Sequence, residues 1–232
     1  MRKATVLFAA VMLVATAAHA ENIGSMFGSQ TTARSMAPGH TMLGASLGVA
    51  DATSVIGSFG FGFSRTGDGR LRAGFIDDEL IQTTLALGAD AKWQLLNVYQ
   101  VNSEGVSTRS TAPFDLAFGP FIEWYKIDFD NNLILESQTV FQAGAAFHGS
   151  YPVQLKNGGS ISPYGRINAR IEWLSIDMAP SLLGPSNASD NQLALGFNGG
   201  VAWHPRASPV VLFGEFQLDG NDGVFFGINY LL

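Results

Sequence analysis

The sequence predicts an all-β fold, an up-and-down antiparallel transmembrane β-barrel of about ten strands. Three observations carry that reading. From residue 40 onward apolar residues recur at every second position, the period of a strand and not of a helix. Almost every charged residue inside those runs falls on the opposite parity. Helix-period segments are essentially absent, and 27 glycines with 17 phenylalanines suit tightly packed strands and turns.

Composition narrows the function classes. The 232 residues are 47% hydrophobic and 14% charged, too apolar for a disordered tail or a coiled coil. A net charge of −6, with 13 Lys+Arg and no basic run, argues against a nucleic-acid partner. With no cysteine there is no thiol nucleophile, disulfide, Cys-ligated zinc or lipid carried on a cysteine.

Residues 1–20 read as a secretory signal peptide: Met1-Arg2-Lys3, an uncharged stretch from Ala4 to Ala18, and the small-x-small site Ala18-His19-Ala20. A stretch of that length spans only about 22 Å as a helix, short of the roughly 30 Å hydrocarbon core. Cleavage removes Arg2 and Lys3 and moves the net charge from −6 to −8. Residues 21–38 have no period, end at Pro38-Gly39, and are expected to form a periplasmic lead-in. The barrel domain is expected over 39–232.

The strands follow in order. Leu43, Ala45, Leu47 and Val49 share one face of the first. Val55, Phe59, Phe61 and Phe63 share one face of the second, and Thr66-Gly67-Asp68-Gly69 is expected to turn the chain into the third, Arg70–Phe75. Alternation resumes over 81–95, 114–124, 133–147, 161–173, 192–203, 210–218 and 224–232. Segment 96–111 fits poorly, being long for a periplasmic turn; it holds an additional hairpin, or the strand number is eight or twelve. Loops are expected at 125–132 and 175–192, the latter rich in Pro and Ser and extracellular.

The polar parity carries eleven charges: Arg70, Arg72, Asp90, Lys92, Asp115, Glu123, Glu136, Arg166, Arg170, Glu172 and Glu215. Small residues and glycines fill most of its other positions, which suits a crowded lumen while the apolar parity faces lipid. Five basic and six acidic residues nearly balance. Balance points to paired charges that plug the lumen, because a pore selecting one ion sign needs a ring of one sign. Trp124 and Trp173 fall near outer strand ends, and Trp93, Trp203 and Tyr230 near inner ends, as two aromatic girdles.

The chain ends DGVFFGINYLL, with Val224, Phe226, Ile228, Tyr230 and Leu232 at alternate positions. This resembles the terminal strand signal of bacterial outer-membrane β-barrel proteins, although that family usually ends in Phe or Trp. With the signal peptide and the alternating strands, the chain resembles the small OmpA-type, OmpX-type and OmpW-type barrels over nearly its whole length. The resemblance implies export to the cell outer membrane, contact with outer-membrane lipid and lipopolysaccharide, and the barrel assembly machinery as partner during biogenesis. It implies no cofactor and brings no catalytic residues.

Few residues point to chemistry. After cleavage His40, His148 and His204 stand isolated, without metal-ligand spacing. Asp128-x-Asp130-x-Asn132 starts like a calcium loop, but Leu133 replaces the glycine that loop requires. Gly57–Gly62 has no following helix to make a phosphate cradle. His148 and Ser150 share one strand face, which leaves a lipid A-modifying hydrolase as the least favoured reading, since no orienting group or oxyanion hole is visible. The favoured expectation is a structural or surface-interaction role through the extracellular loops with a largely plugged lumen; the alternative is a narrow passive channel for small solutes.

Overall fold

A computed structural model describes residues 24–50, 52–78, 81–101, 107–128, 135–156, 158–178 and 187–232. The signal segment 1–20 and the loop cores 129–134 and 179–186 lie outside the described residues. Thirteen strands are described: β1 (Thr41–Val49), β2 (Thr53–Gly62), β3 (Gly67–Asp78), β4 (Ile81–Leu96), β5 (Tyr99–Val101), β6 (Ser107–Arg109), β7 (Asp115–Asp128), β8 (Leu135–Ser150), β9 (Val153–Gln154), β10 (Ser160–Met178), β11 (Asn187–His204), β12 (Val210–Leu218) and β13 (Gly223–Leu231).

Ten of these form the barrel. Each pairs antiparallel with its neighbours in chain order, β10 joins β11, and β1 pairs with β13 from Met42↔Leu231 to Val49↔Val224. Closure joins the first and last strands, so the ring has no open edge where its ladders run, and strand N–H and C=O groups there find partners. Of the short strands, β5 and β6 pair only with each other and β9 adds two residues against β10. Segment 96–111 therefore holds the additional hairpin, and the barrel count stays at ten.

The wall is uneven. β1, β2, β12 and β13 have 9 or 10 residues, whereas β10 has 19 and β11 has 18. The longer strands rise beyond the rest at the far end, where β1 finishes and the turn 219–222 lies. At the near end β1 begins and the chain terminates. Two expected boundaries shift accordingly. Residues 125–128, 175–178 and 187–192 continue strands, and the β10–β11 ladder reaches Asp177↔Asn187. The β2–β3 turn is 63–66, so Gly67, Asp68 and Gly69 belong to β3, with Phe61 opposite Gly69.

Pro120 sits inside a central strand, where its missing N–H breaks the ladder. The β4–β7 register accordingly passes from Asp90↔Phe121 to Trp93↔Phe118 without pairs between. A Cβ on Gly119 would lie 1.8 Å from the Ala91 carbonyl oxygen, so only glycine fits beside that proline.

The largest departure concerns the segment expected as a lead-in outside the barrel. From Gly24 to Gln30 it is buried, and it runs through the lumen toward the near end before Pro38-Gly39 turns into β1. A lead-in on the near side would leave Met26 and Phe27 in water; inside, they join the buried apolar cluster, and the glycine-rich inner face leaves room for the chain.

Candidate functional site: the occupied lumen

The inner faces of strands all around the ring bind the segment, which places it along the axis rather than on one wall. At the far end Tyr125 Oη and Gln142 Nε2 donate to the Gly24 carbonyl at 3.0 and 2.7 Å. Gln217 Nε2 and Asn221 Nδ2 donate to the Ser25 carbonyl at 2.6 and 2.9 Å, while Ser25 Oγ donates to Glu123 at 2.7 Å. Gly24 has φ 81°, and a Cβ there would meet the Asn221 backbone nitrogen at 2.1 Å, so both conformation and space demand glycine.

Next come the apolar anchors. Met26 and Phe27 pack in a cluster with Ala52, Ile56, Ile76, Ala86, Tyr125 and Val140, inward-facing residues of the far half. The Arg72 guanidinium carbon lies 4.5 Å from the Phe27 ring centroid, a cation–π contact in a place shielded from water.

At mid-lumen Glu215 is the main receptor. Its carboxylate accepts the Ser29 N–H at 2.5 Å, the Gln30 N–H at 2.6 Å, the Tyr164 hydroxyl at 2.6 Å and the Asn198 amide at 2.9 Å. Gln30 adopts φ 41°, which turns two successive N–H groups toward one anion as a backbone nest. Lower still, Lys92 Nζ donates to Thr31 Oγ1 at 2.6 Å, Ser150 Oγ accepts the Ala33 N–H at 3.2 Å, and Asp68 accepts the Met36 N–H at 2.8 Å. The backbone polar groups of a peptide without ladder partners are thus met by side chains.

The predicted lumen charges point inward wherever described. Arg70 and Arg72 both reach Asp90, at 3.0 and 3.2 Å, and Arg72 also reaches Glu123 at 3.2 Å. Lys92 pairs with Asp68 at 3.4 Å, and Arg170 bridges Glu172 at 2.7 Å and Asp219 at 3.2 Å. Arg166 stacks on Phe121, its guanidinium carbon 4.4 Å from the ring centroid. Asp115 stands apart: its carboxylate accepts the Val98 N–H at 2.6 Å and ties down the near-end hairpin. The side chain of Glu136 lies outside the described residues. Asp68, Gln142, Asn198, Gln217 and Asp219 are functional residues the sequence reading passed over; three are amides on the predicted inner parity, a signal that charge counting ignores.

The girdle residues Trp93, Trp173, Trp203 and Tyr230 face outward and are 40–47% exposed, while Trp124 is half-buried. The alternate residues of the terminal pattern, Val224, Phe226, Ile228, Tyr230 and Leu232, are exposed as well. His148 and Ser150 both point into the lumen, where Ser150 is engaged by the segment. No protein-family model matches the chain, and no curated protein sequence matches it.

Two inner-face glycines press against the segment in different ways, one against its backbone and one against a side chain. A Cβ on Gly62 would sit 2.1 Å from the Ala37 carbonyl oxygen, which is backbone. One on Gly227 would sit 2.3 Å from Gln30 Oε1, the end of a flexible side chain. Gly62→Ala is therefore expected to cost about 1–3 kcal/mol by displacing the segment's exit, and Gly227→Ala well under that, because Gln30 can rotate. Unfolding midpoints of the two variants in detergent check the order.

Proposed function

We propose that the chain is an integral outer-membrane β-barrel protein whose lumen is closed by its own N-terminal segment, with a structural or surface-interaction role carried by its far-end loops. One observation carries the reading: the barrel is apolar outside and charged inside. Leu43, Leu47, Val55, Leu71, Phe75, Ile122, Phe147, Ile167, Ile171 and Phe226 are each 44–58% exposed around the ring. The charged strand residues on that outer parity are Asp77, Lys126, Asp128 and Asp177 among the described side chains, and all four stand at the far ends of β3, β7 and β10. An apolar belt bounded by a charged rim is what a bilayer and its headgroup layer require, and water would penalise it. The excess length of β10 and β11 then projects above the membrane, toward lipopolysaccharide.

On this reading the signal peptide exports the chain, and the alternate apolar residues of β13 serve the barrel assembly machinery. The chain is not an enzyme and needs no cofactor. A channel reading draws support from a cavity of about 380 Å³ at the near end, between the segment at Thr31–Ala37 and the apolar wall of Met42, Val211 and Phe213. The reading of a plugged barrel is favoured because the far half above that cavity is filled by Met26 and Phe27.

The location is tested on a denaturing gel. Unboiled protein from membranes should migrate apart from boiled protein, since a closed barrel resists detergent without heat. Identical mobility, with the protein recovered from the soluble periplasm, would make it a secreted soluble β protein instead.

A further inference from the structure

The charges outside the lumen are sorted by end. Each of the four near-end connections holds one base: Arg65 between β2 and β3, Arg109 between β4 and β7, Lys156 between β8 and β10, and Arg206 between β11 and β12. Arg34 adds another where the segment leaves the lumen. Arg65, Lys156 and Arg206 are exposed, and no salt bridge reaches them from a described residue. Against them, outside the lumen, that end has Glu104 and the C-terminal carboxylate of Leu232. The far end is the reverse: Asp77, Asp128, Asp177, Asp190 and Asp222 stand there, with Lys126 as the one base among the described residues. Arg206 also lies against the β8–β10 connection, its Cδ 3.0 Å from where a Cβ on Gly158 would stand, so it shares that corner with Lys156. Like charges gathered without an acid call for an anion from outside the chain.

Depth and distribution say what the anion is. Phe63, Tyr151 and Trp203 are exposed outward aromatics a few residues before Arg65, Lys156 and Arg206, and Phe63 packs edge-on against Trp93 of the near girdle, ring centroids 5.7 Å apart. Such aromatics mark the depth at which hydrocarbon ends, so the bases beyond them reach the depth of headgroup phosphates. The four connections are also spread around the ring, two strands apart, as suits a leaflet that surrounds the barrel. A protein partner would call for bases gathered on one arc. We propose that the near-end rim is a docking surface for the phosphate headgroups of anionic glycerophospholipids in the leaflet around it. The inference rests on the membrane reading above and adds a lipid preference to it. The acidic far rim repels the same headgroups, so the preference belongs to one end.

The test reconstitutes the full chain in phosphatidylcholine vesicles that hold an equal fraction of either brominated phosphatidylglycerol or brominated phosphatidylcholine, and reads tryptophan quenching. Trp124→Phe with Trp173→Phe leaves Trp93 and Trp203 as near-end reporters; the converse pair leaves far-end reporters. Near-end quenching should show phosphatidylglycerol favoured about fivefold at low salt, and far-end quenching should show no such preference. The preference should fade in 1 M sodium chloride, where charges are screened beyond about 3 Å. Arg65→Gln, Lys156→Gln and Arg206→Gln combined should remove most of it. Should a variant fail to give a heat-shifted band, the unaltered chain must still show a salt-sensitive preference for phosphatidylglycerol. Equal quenching by the two lipids overturns the proposal and leaves the membrane reading standing. So does a preference that is equal at both ends or that survives the triple substitution. Quenching by neither lipid would mean that the barrel is not in the bilayer, and the membrane reading would fall with the proposal.

Discussion

Deleting residues 24–36 should turn a barrel that conducts little into one with a steady, sizeable conductance in a planar bilayer. The segment takes its hydrogen bonds from β3, β7, β8 and β12, on different sides of the ring, so its removal empties the axis and not a groove in the wall. The barrel should survive. Its ladders run from strand to strand and never through the segment, so wall closure by β1 and β13 is untouched. Glu215, Arg70 and Arg72 would lose partners, but an opened lumen is wet, and hydration replaces what burial would otherwise make costly. With both signs still lining the path, selectivity between cations and anions should be weak. Conductance as low as in the intact protein, from a variant whose unboiled band still shifts on heating, would mean that wall side chains alone close the lumen.

The parts of this fold that were legible in the sequence are those that period two encodes. Leu43, Phe59, Leu87, Ile167 and Phe226 could be assigned to the outer face because a strand side chain has only two directions, whatever its partner strand. The ten charges with described side chains fell inside for the same reason. The N-terminal segment was not legible, because its backbone is bound by side chains and not by a ladder; nothing imposes a period on Gly24–Met36, and its small polar residues look like any loop. An indirect trace existed in the inner parity itself. Gly60, Gly62, Gly88 and Gly227 leave a lumen emptier than near-balanced charges alone can fill, and each has an atom of the segment within 3.4 Å of where a Cβ would stand. Strand ends were lost where the apolar outer parity stops, at Lys126 and Asp177, although pairing continues there. Asp68 falls in the expected β2–β3 turn, which hid an acceptor for Met36, and Asp219 falls between two expected strands, which hid the second carboxylate of Arg170.

Glu215→Gln should be among the most destabilising single substitutions in the lumen, lowering stability by about 3–5 kcal/mol when the barrel remains closed. The carboxylate presents two acceptor oxygens, and each receives a backbone N–H, from Ser29 and from Gln30. Glutamine keeps one acceptor and places an NH₂ group against the other N–H, so a buried donor loses its bond and faces a second donor. Tyr164 and Asn198 also lose charge-assisted bonds, since both donate to the same group. Tyr164→Phe provides the scale: it removes one of the four donors and should cost about 1.5–2 kcal/mol. The measurement is the temperature at which the unboiled gel band converts to the unfolded position, with Glu215→Gln shifted about twice as far as Tyr164→Phe. Loss of the Ser29 and Gln30 bonds also frees the middle of the segment, so Glu215→Gln alone should raise conductance part of the way toward that of the 24–36 deletion. A variant that melts like the unaltered protein and stays closed would show that Met26 and Phe27 hold the segment without help from the carboxylate.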